Sequence, residues 1–586
     1  MIKRLKLFRS SPLLFLALAC LVLLAACSTT RHHSDESRLV IDAGELIGFE
    51  LNESTHAWLG IPYAAPPVGE LRWRAPQPVA SWAEARSALD YGSPCPQLEN
   101  PTVPQKAVKG MTVVGAEDCL YLNVYAPKSQ SAEALPVMFW IHGGGNHYGS
   151  AEIYEGVSRL TENGVVVVSI NYRLGLLGWF RHAALREGLS DPSDLSGNFG
   201  TLDIIAALQW VQRNIAAFGG DPNNVTVFGE SAGGRNTWSM VFSPLAKGLF
   251  HKAIAQSASL RLADPNKSES YSIDALDYPA YENHSAEVVA KLFPDQQFDD
   301  AQAISAALRD VSPEDLYTAV APGARWRFPS PKVFIDGYVI ERDTSELLAD
   351  PTRYNSVPMI VGANRHESKF YFASDKNLVG KRFGLLPRIR EEAIFMRNVG
   401  YGSDIWRALS VDMPALRISE SGGEKVFAYR FDYDDLIAWP VNMKALYGAA
   451  HATEMIPLFR FYQQSPIKWI VSDRKAVSTL GEAMASYWAE FAYNGEPGRG
   501  RQGELPLWSS WQREAPLLLL DVESDGGIRM GEDSMTPAMI AKRLRDDDSL
   551  SDSEKCQAYL DLFLNNYQTP LAFDRSEYRS LANCEE

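Results

Sequence analysis

The stretch that most limits what this chain can fold into is Val225 to Gly234, VTVFGESAGG. Four strand-forming residues, Val225 to Phe228, run directly into Gly229-Glu230-Ser231-Ala232-Gly233. That pentapeptide fits G-x-S-x-G, a sharp turn that carries the chain from a strand into a helix. A serine on such a turn stands clear of its neighbours, and the flanking glycines let backbone and substrate come close. Because the helix begins at the serine, its first N–H groups and positive dipole end point to where an oxyanion would form. A Gly-Ser-Gly turn in an ordinary loop would match the pentapeptide as well. The strand before it and the helix-competent residues from Ala232 onward favour the elbow, with Ser231 as nucleophile.

The rest of the chain supplies the sheet that an elbow needs. Pro136 to His142, PVMFWIH, is continuously apolar, as expected of a strand buried on both faces of a parallel sheet, and Val165 to Ile170 is a second such run. Asp203 to Phe218 repeats apolar residues at helical spacing and ends at Gly219, where a C-terminal cap belongs. Strand, helix, strand and elbow in succession predict βαβ units. Arg38 to Leu51 reads as a hairpin about Asp42-Ala43-Gly44, Gly60 to Trp73 as an extended wrap, and Leu120 to Val124 as a strand. Beyond the elbow, Ala253–Ala258, Val357–Gly362 and Val426–Phe431 read as further strands, the last of these closing the series. Asp264 to Asp350 reads as insertions around the site, Gly481 to Tyr493 as an amphipathic helix, and the tail after Pro537 as helical and surface-bound.

The N-terminus reads as a processing signal. Lys3, Arg4, Lys6 and Arg9 precede an apolar run from Leu13 to Ala26, shorter than the about 20 residues a membrane span needs. It ends in Leu24-Ala25-Ala26-Cys27, which resembles a bacterial lipobox whose cysteine is lipidated, although cleavage near Ala26 as an ordinary secretory signal fits too. The expected organisation is a signal in 1–26, a lipidated tether in 27–37 and one catalytic domain in 38–586. The expected location is the Gram-negative envelope, anchored by lipid in the outer membrane, which Ser28 rather than Asp after Cys27 favours by resemblance, and facing the periplasm. The formal charge of −16 argues against nucleic acid or an anionic membrane surface as partner. Cys95, Cys119, Cys556 and Cys584 remain after processing, an even number in an oxidising compartment. The local pairings Cys95–Cys119 and Cys556–Cys584 close the shortest loops and are the expected pair.

An elbow serine on this kind of sheet is followed in sequence by an acid and then by a histidine. Of the four later histidines, His251 and His284 are badly placed. His366 follows the strand after which the acid belongs, with Glu367 beside it, and His451 follows the next strand after a loop. That selects Ser231, Glu367 and His451. Gly143-Gly144-Gly145, just past the strand Pro136–His142, supplies the expected oxyanion donors.

GIPYAAPPVGELRW, EDCLYLNVYAP, HGGG, ALQWVQRNIAAFGGDPNNVTVFGESAGG, GANRHES, HATE and YWAEFAYNGEP occur in order and span Gly60 to about Trp508. On these blocks the chain resembles the type B carboxylesterase and cholinesterase family. The resemblance implies a single α/β-hydrolase domain on a mostly parallel sheet, with no metal and no cofactor. It also implies a Ser231–Glu367–His451 triad and an oxyanion hole from Gly144, Gly145 and Ala232. Glu230, Ser257 and Glu454 would form a polar network behind the triad, and Cys95–Cys119 the family's first disulfide. Asn146 and His147 after the glycines, Arg235 and Asn236 after the elbow, and HATE for H-G-x-E depart from the family pattern. The expected activity is that of a general carboxylesterase preferring neutral esters, because Pro96 to Asp118 contains no aromatic residue to hold a cation. Two other readings share the fold: a catalytically silent adhesion protein and an amide hydrolase. The sequence carries no signal for the oligomeric state.

Overall fold

The computed structural model describes residues 31–99, 112–128, 133–260, 262–265, 285–319, 333–514, 517–531, 534–564, 574–582 and 584. The signal, Cys27 and the middle of the loop between Cys95 and Cys119 lie outside the described residues.

Twelve strands follow one another across a single sheet, with Arg86–Ser87 beside the second as a thirteenth. They are β1 His33–Ile41, β2 Gly44–Glu50, β3 Thr55–Pro62, β4 Tyr121–Pro127, β5 Leu135–Ile141 and β6 Val166–Ile170. The second half comprises β7 Gly220–Glu230, β8 Lys252–Gln256, β9 Met359–Asn364, β10 Val426–Phe431, β11 Leu517–Leu520 and β12 Arg529–Gly531. Their spatial order is β1-β2-β3-β4-β6-β5-β7-β8-β9-β10-β11-β12. Pairing is parallel from β6 through β11 and antiparallel at both edges.

Both faces of the sheet are buried, which is why its central strands are apolar without interruption. Val137, Phe139 and Ile141 of β5 enter one core with Val225 and Val227 of β7, while Met138, Trp140 and Phe228 enter the other. Phe199–Asn214 (α1) and Ala232–Phe242 (α2) cover the first face, and the long Arg474–Asn494 (α4) covers the second. Between β9 and β10 runs Glu392–Arg407 (α3). The tail helices Pro537–Arg545 (α5), Asp552–Tyr559 (α6) and Arg575–Ala582 (α7) form a separate apolar cluster with Tyr401 and Ile405 of α3.

Two expectations change. Residues 33–37 belong to β1 and not to the tether, and Trp58 donates its indole N–H to the Ser37 carbonyl at 2.6 Å. Val426–Phe431 is not the last strand, since β11 extends the parallel sheet and β12 its edge. Four leucines carry no period, so a buried strand and a stretch of buried helix look alike there. Both cysteine pairs form as expected, Cys95–Cys119 and Cys556–Cys584.

Candidate active site

The C-terminal ends of β5, β7, β8, β9 and β10 converge: Glu230 ends β7, Gly144, Gly145, Ser231, Ala232, Ser257 and Glu367 lie a few residues past a strand end, His451 and Glu454 come from the longer loop after β10, and the four cysteines lie elsewhere. At the end of β7, Ser231 has φ 56° and ψ −116° and leads straight into α2. Positive φ is uncommon for a residue with a Cβ, and here it turns a strand into a helix in one step. The turn is tight enough to demand its glycines. A Cβ on Gly233 would lie 2.0 Å from the Ile141 carbonyl oxygen, and one on Gly229 2.5 Å from the backbone of Gly233. The Ser231 N–H is held by the Gln256 carbonyl at the end of β8, 2.9 Å away.

Nε2 of His451 lies 2.8 Å from the Ser231 hydroxyl, and its Nδ1 lies 2.6 Å from Oε2 of Glu367. The other oxygen of Glu367 accepts the Asn364 N–H at 2.7 Å. Glu367 is fully buried and Ser231 is half-buried, so the file of three groups opens only at the serine. His366, the competing histidine, faces away. Burial first, then the cations Lys369 and Arg365, push its pKa down to about 3, and its Nδ1 has no partner.

Glu230, Ser257 and Glu454 gather behind the triad. Ser257 donates to Glu454 at 3.3 Å, and the Asn364 amide donates to the second oxygen of Glu454 at 2.5 Å and to the Ala450 carbonyl at 2.7 Å. Asn364 therefore ties Glu367 to Glu454 by backbone and side chain at once. It escaped notice in the sequence because it only ends a strand. Oε1 of Glu230 sits 3.4 Å from Nε2 of His451 without a hydrogen bond, so its influence there is Coulombic.

Three buried carboxyl groups around one imidazole cannot all be charged at low cost. Burial drives the Glu230 pKa well up, and burial with the Glu367 charge drives Glu454 up to about 7. Burial pushes His451 down, but the Glu230 and Glu367 carboxylates outweigh it and raise the imidazole to about 9. The Glu230 and His451 shifts cannot both operate in full, because a protonated Glu230 no longer raises its neighbour. The two titrate as a pair. The direction that holds is upward for His451, since Glu367 touches it directly.

The glycine loop closes over the serine. A Cβ on Gly143 would lie 2.8 Å from Glu230 Oε2 and 3.4 Å from the Ser231 Cβ, while Gly144 and Gly145 have φ of 98° and 65°. His142 fixes the start of this loop: burial lowers its pKa to about 4, and the neutral ring donates Nδ1–H to the Gly143 carbonyl at 2.8 Å. Two departures noted in the sequence explain each other. Asn146 is buried at φ 62°, and its carboxamide oxygen accepts from Asn236 on the elbow helix at 3.0 Å. The pair fastens the glycine loop to α2. Aromatic rings that the sequence reading passed over also surround His451: Trp406 at 4.9 Å, Tyr371 at 5.7 Å and Phe370 at 5.8 Å between centroids.

Residues 35–409 match the model of the carboxylesterase family. The chain belongs to that family. This carboxylesterase is 31% identical over 507 residues to human cocaine esterase, covering 80% of this chain and 84% of that one. It is 32% identical over 499 residues to para-nitrobenzyl esterase of Bacillus subtilis (strain 168), covering 80% and 91%. A solved thermophilic para-nitrobenzyl esterase superposes with a TM-score of 0.65 at 28% identity, covering 85% of this chain and 97% of that one. The fold is thus that of the α/β-hydrolases, and the carboxylesterase is a serine hydrolase of carboxylic esters.

Proposed function

We propose that the carboxylesterase works through an acyl-enzyme on Ser231. His451 takes the hydroxyl proton as the serine attacks the ester carbonyl, then returns it to the departing alcohol. Glu367 holds the Nδ1–H tautomer and stabilises the imidazolium. The N–H groups of Gly144, Gly145 and Ala232 receive the oxyanion, and water repeats the cycle on the acyl group. The observation that carries this reading is the continuous Ser231–His451–Glu367 chain at 2.8 and 2.6 Å. An adhesion protein would have no use for that alignment. Hydrolysis of amides calls on the same groups, and nothing in the site favours it. A fluorophosphonate probe should label Ser231 stoichiometrically and abolish turnover. Labelling of Ser231→Ala at the same rate would defeat the assignment.

The preferred substrates are neutral esters. The described part of the first disulfide loop offers Leu98 and Val113, aliphatic groups with no negative face for a cation. Acetylcholine and its uncharged carbon isostere form the test. A preference for the cation by more than about tenfold in kcat/KM, or 1.4 kcal/mol, contradicts the reading.

Processing at Cys27 and lipid anchorage in the envelope belong to the same proposal and rest on the Leu-Ala-Ala-Cys sequence. Among the described residues no helix is long and apolar enough to cross a membrane. Cys27→Ser should make the protein extractable with high salt, whereas the unaltered chain should resist. Equal resistance would point to another anchor.

A further inference from the structure

Between Tyr371 and Trp406, both packed on His451, the chain makes a detour. Val379–Arg382 and Leu386–Ile389 pair as an antiparallel hairpin separate from the main sheet, in the register Val379↔Ile389 to Arg382↔Leu386. Its tip is Phe383-Gly384-Leu385. Phe383 is 80% exposed and Leu385 81% exposed. Phe383 and Gly384 have φ of 53° and 72°, and a Cβ on Gly384 would meet nothing within 4 Å. A bulky residue in the left-handed region is unfavourable, and here the result is a phenyl ring held out in water on a projecting turn.

The charge around this tip is opposite to that of the molecule. From Lys376 to Arg390 the sequence holds Lys376, Lys381, Arg382, Arg388 and Arg390 and no Asp or Glu, in a chain of net charge −16. All five are exposed. Among the described residues, no carboxylate forms an ion pair with Lys381, Arg382 or Arg388. The Arg382 guanidinium lies 5.0 Å from the Phe383 ring centroid, so cation and aromatic ring are presented together.

From this hairpin we infer a second membrane contact: its tip inserts into the surface of a bilayer that carries anionic phospholipid. A convex turn with two apolar side chains at its apex offers no pocket and needs none from its partner. Acyl chains accept Phe383 and Leu385, while the cations behind them meet the headgroups, the usual division of labour at a membrane interface. The overall negative charge does not forbid this. Beyond a Debye length of about 10 Å the rest of the protein is screened, and residues 379–389 carry Lys381, Arg382 and Arg388 and no acid, the nearest acids along the chain being Asp375 at one foot of the hairpin and Glu391 and Glu392 at the other. The lipid on Cys27 would then not be the sole membrane contact, and the domain would be held at the surface by the segment that joins two walls of its active site.

The experiment uses the full chain with Leu385→Cys carrying a bimane label, the wild-type chain labelled in parallel as background. Vesicles are pure phosphatidylcholine, or phosphatidylcholine with phosphatidylglycerol at about 7:3. The expected result is a blue-shifted label and at least threefold weaker iodide quenching on the anionic vesicles only, reversed by about 0.5 M salt. Lys381→Gln, Arg382→Gln and Arg388→Gln together should remove the effect, because each cation contributes about fivefold to partitioning on such a surface. Turnover of a water-soluble ester should stay within about twofold throughout, so a failure here is distinct from a failure of the catalytic assignment. An unchanged aqueous signal on anionic vesicles overturns the proposal. So does equal burial on both vesicle types, or burial that grows with protein concentration without lipid, which would reveal a second copy as the partner.

Discussion

Two neighbouring residues, His366 and Glu367, end up in opposite roles, and the decision lies in side-chain direction. Glu367 turns back toward Asn364 and His451, while His366 points elsewhere with its backbone N–H on the Ala449 carbonyl. His451→Gln should therefore lower kcat/KM by about 10⁴-fold or more, and His366→Gln by less than about tenfold. Comparable losses in single-turnover assays would reassign the base. The pH profile tests the carboxylates. A base must be neutral to act, so raising its pKa moves the acid limb of kcat/KM to higher pH. With His451 raised by Glu230 and Glu367, the limb should lie above the ordinary histidine value of about 6.5. Glu230→Gln removes one of those charges and should shift the limb to lower pH. A limb that does not move would mean that Glu230 keeps its proton throughout.

At the scale of elements, the site depends on how the glycine loop after β5 is seated against α2. The Asn146–Asn236 hydrogen bond does this from two segments 90 residues apart. Asparagine tolerates the positive φ at position 146, and its buried amide then needs a partner. Asn236→Ala leaves that amide with less and should cost about 1–3 kcal/mol in denaturant unfolding. Because the loop would be less well aimed, kcat should fall while KM changes little. A fall confined to KM would show that the pair shapes substrate binding instead.

For the whole molecule, the tail is bound to the catalytic body through α3. Tyr401 and Ile405 of that helix face the tail cluster, while Trp406 faces His451. Cys556 and Cys584, 28 residues apart, close the tail on itself. Replacing both with serine should destabilise the tail by about 3.6 kcal/mol on the loop-entropy account. Hydrogen exchange should rise in α5 to α7 while the central sheet keeps its protection and ester turnover stays within about threefold. Loss of protection across β7 and β8 would mean that the tail and the body unfold as one unit.

Much of this was written locally. Unbroken apolar runs announced the parallel strands, G-x-S-x-G its elbow and HGGG its facing loop, because each needs residue types that few other structures tolerate. Order along the chain was enough to choose Glu367 and His451 as partners of Ser231. What sequence could not contain was everything set by distance in space. The bond that makes sense of Asn146 and Asn236 joins positions far apart in the chain. The role of Asn364 comes from two carboxylates reaching it from separate loops. The rings of Phe370, Tyr371 and Trp406 on His451 and the raised pKa values of Glu230 and Glu454 depend on packing. Residue type and local period are properties of a segment, whereas desolvation, Coulombic coupling and hydrogen-bond partnership arise only when distant segments bury one another.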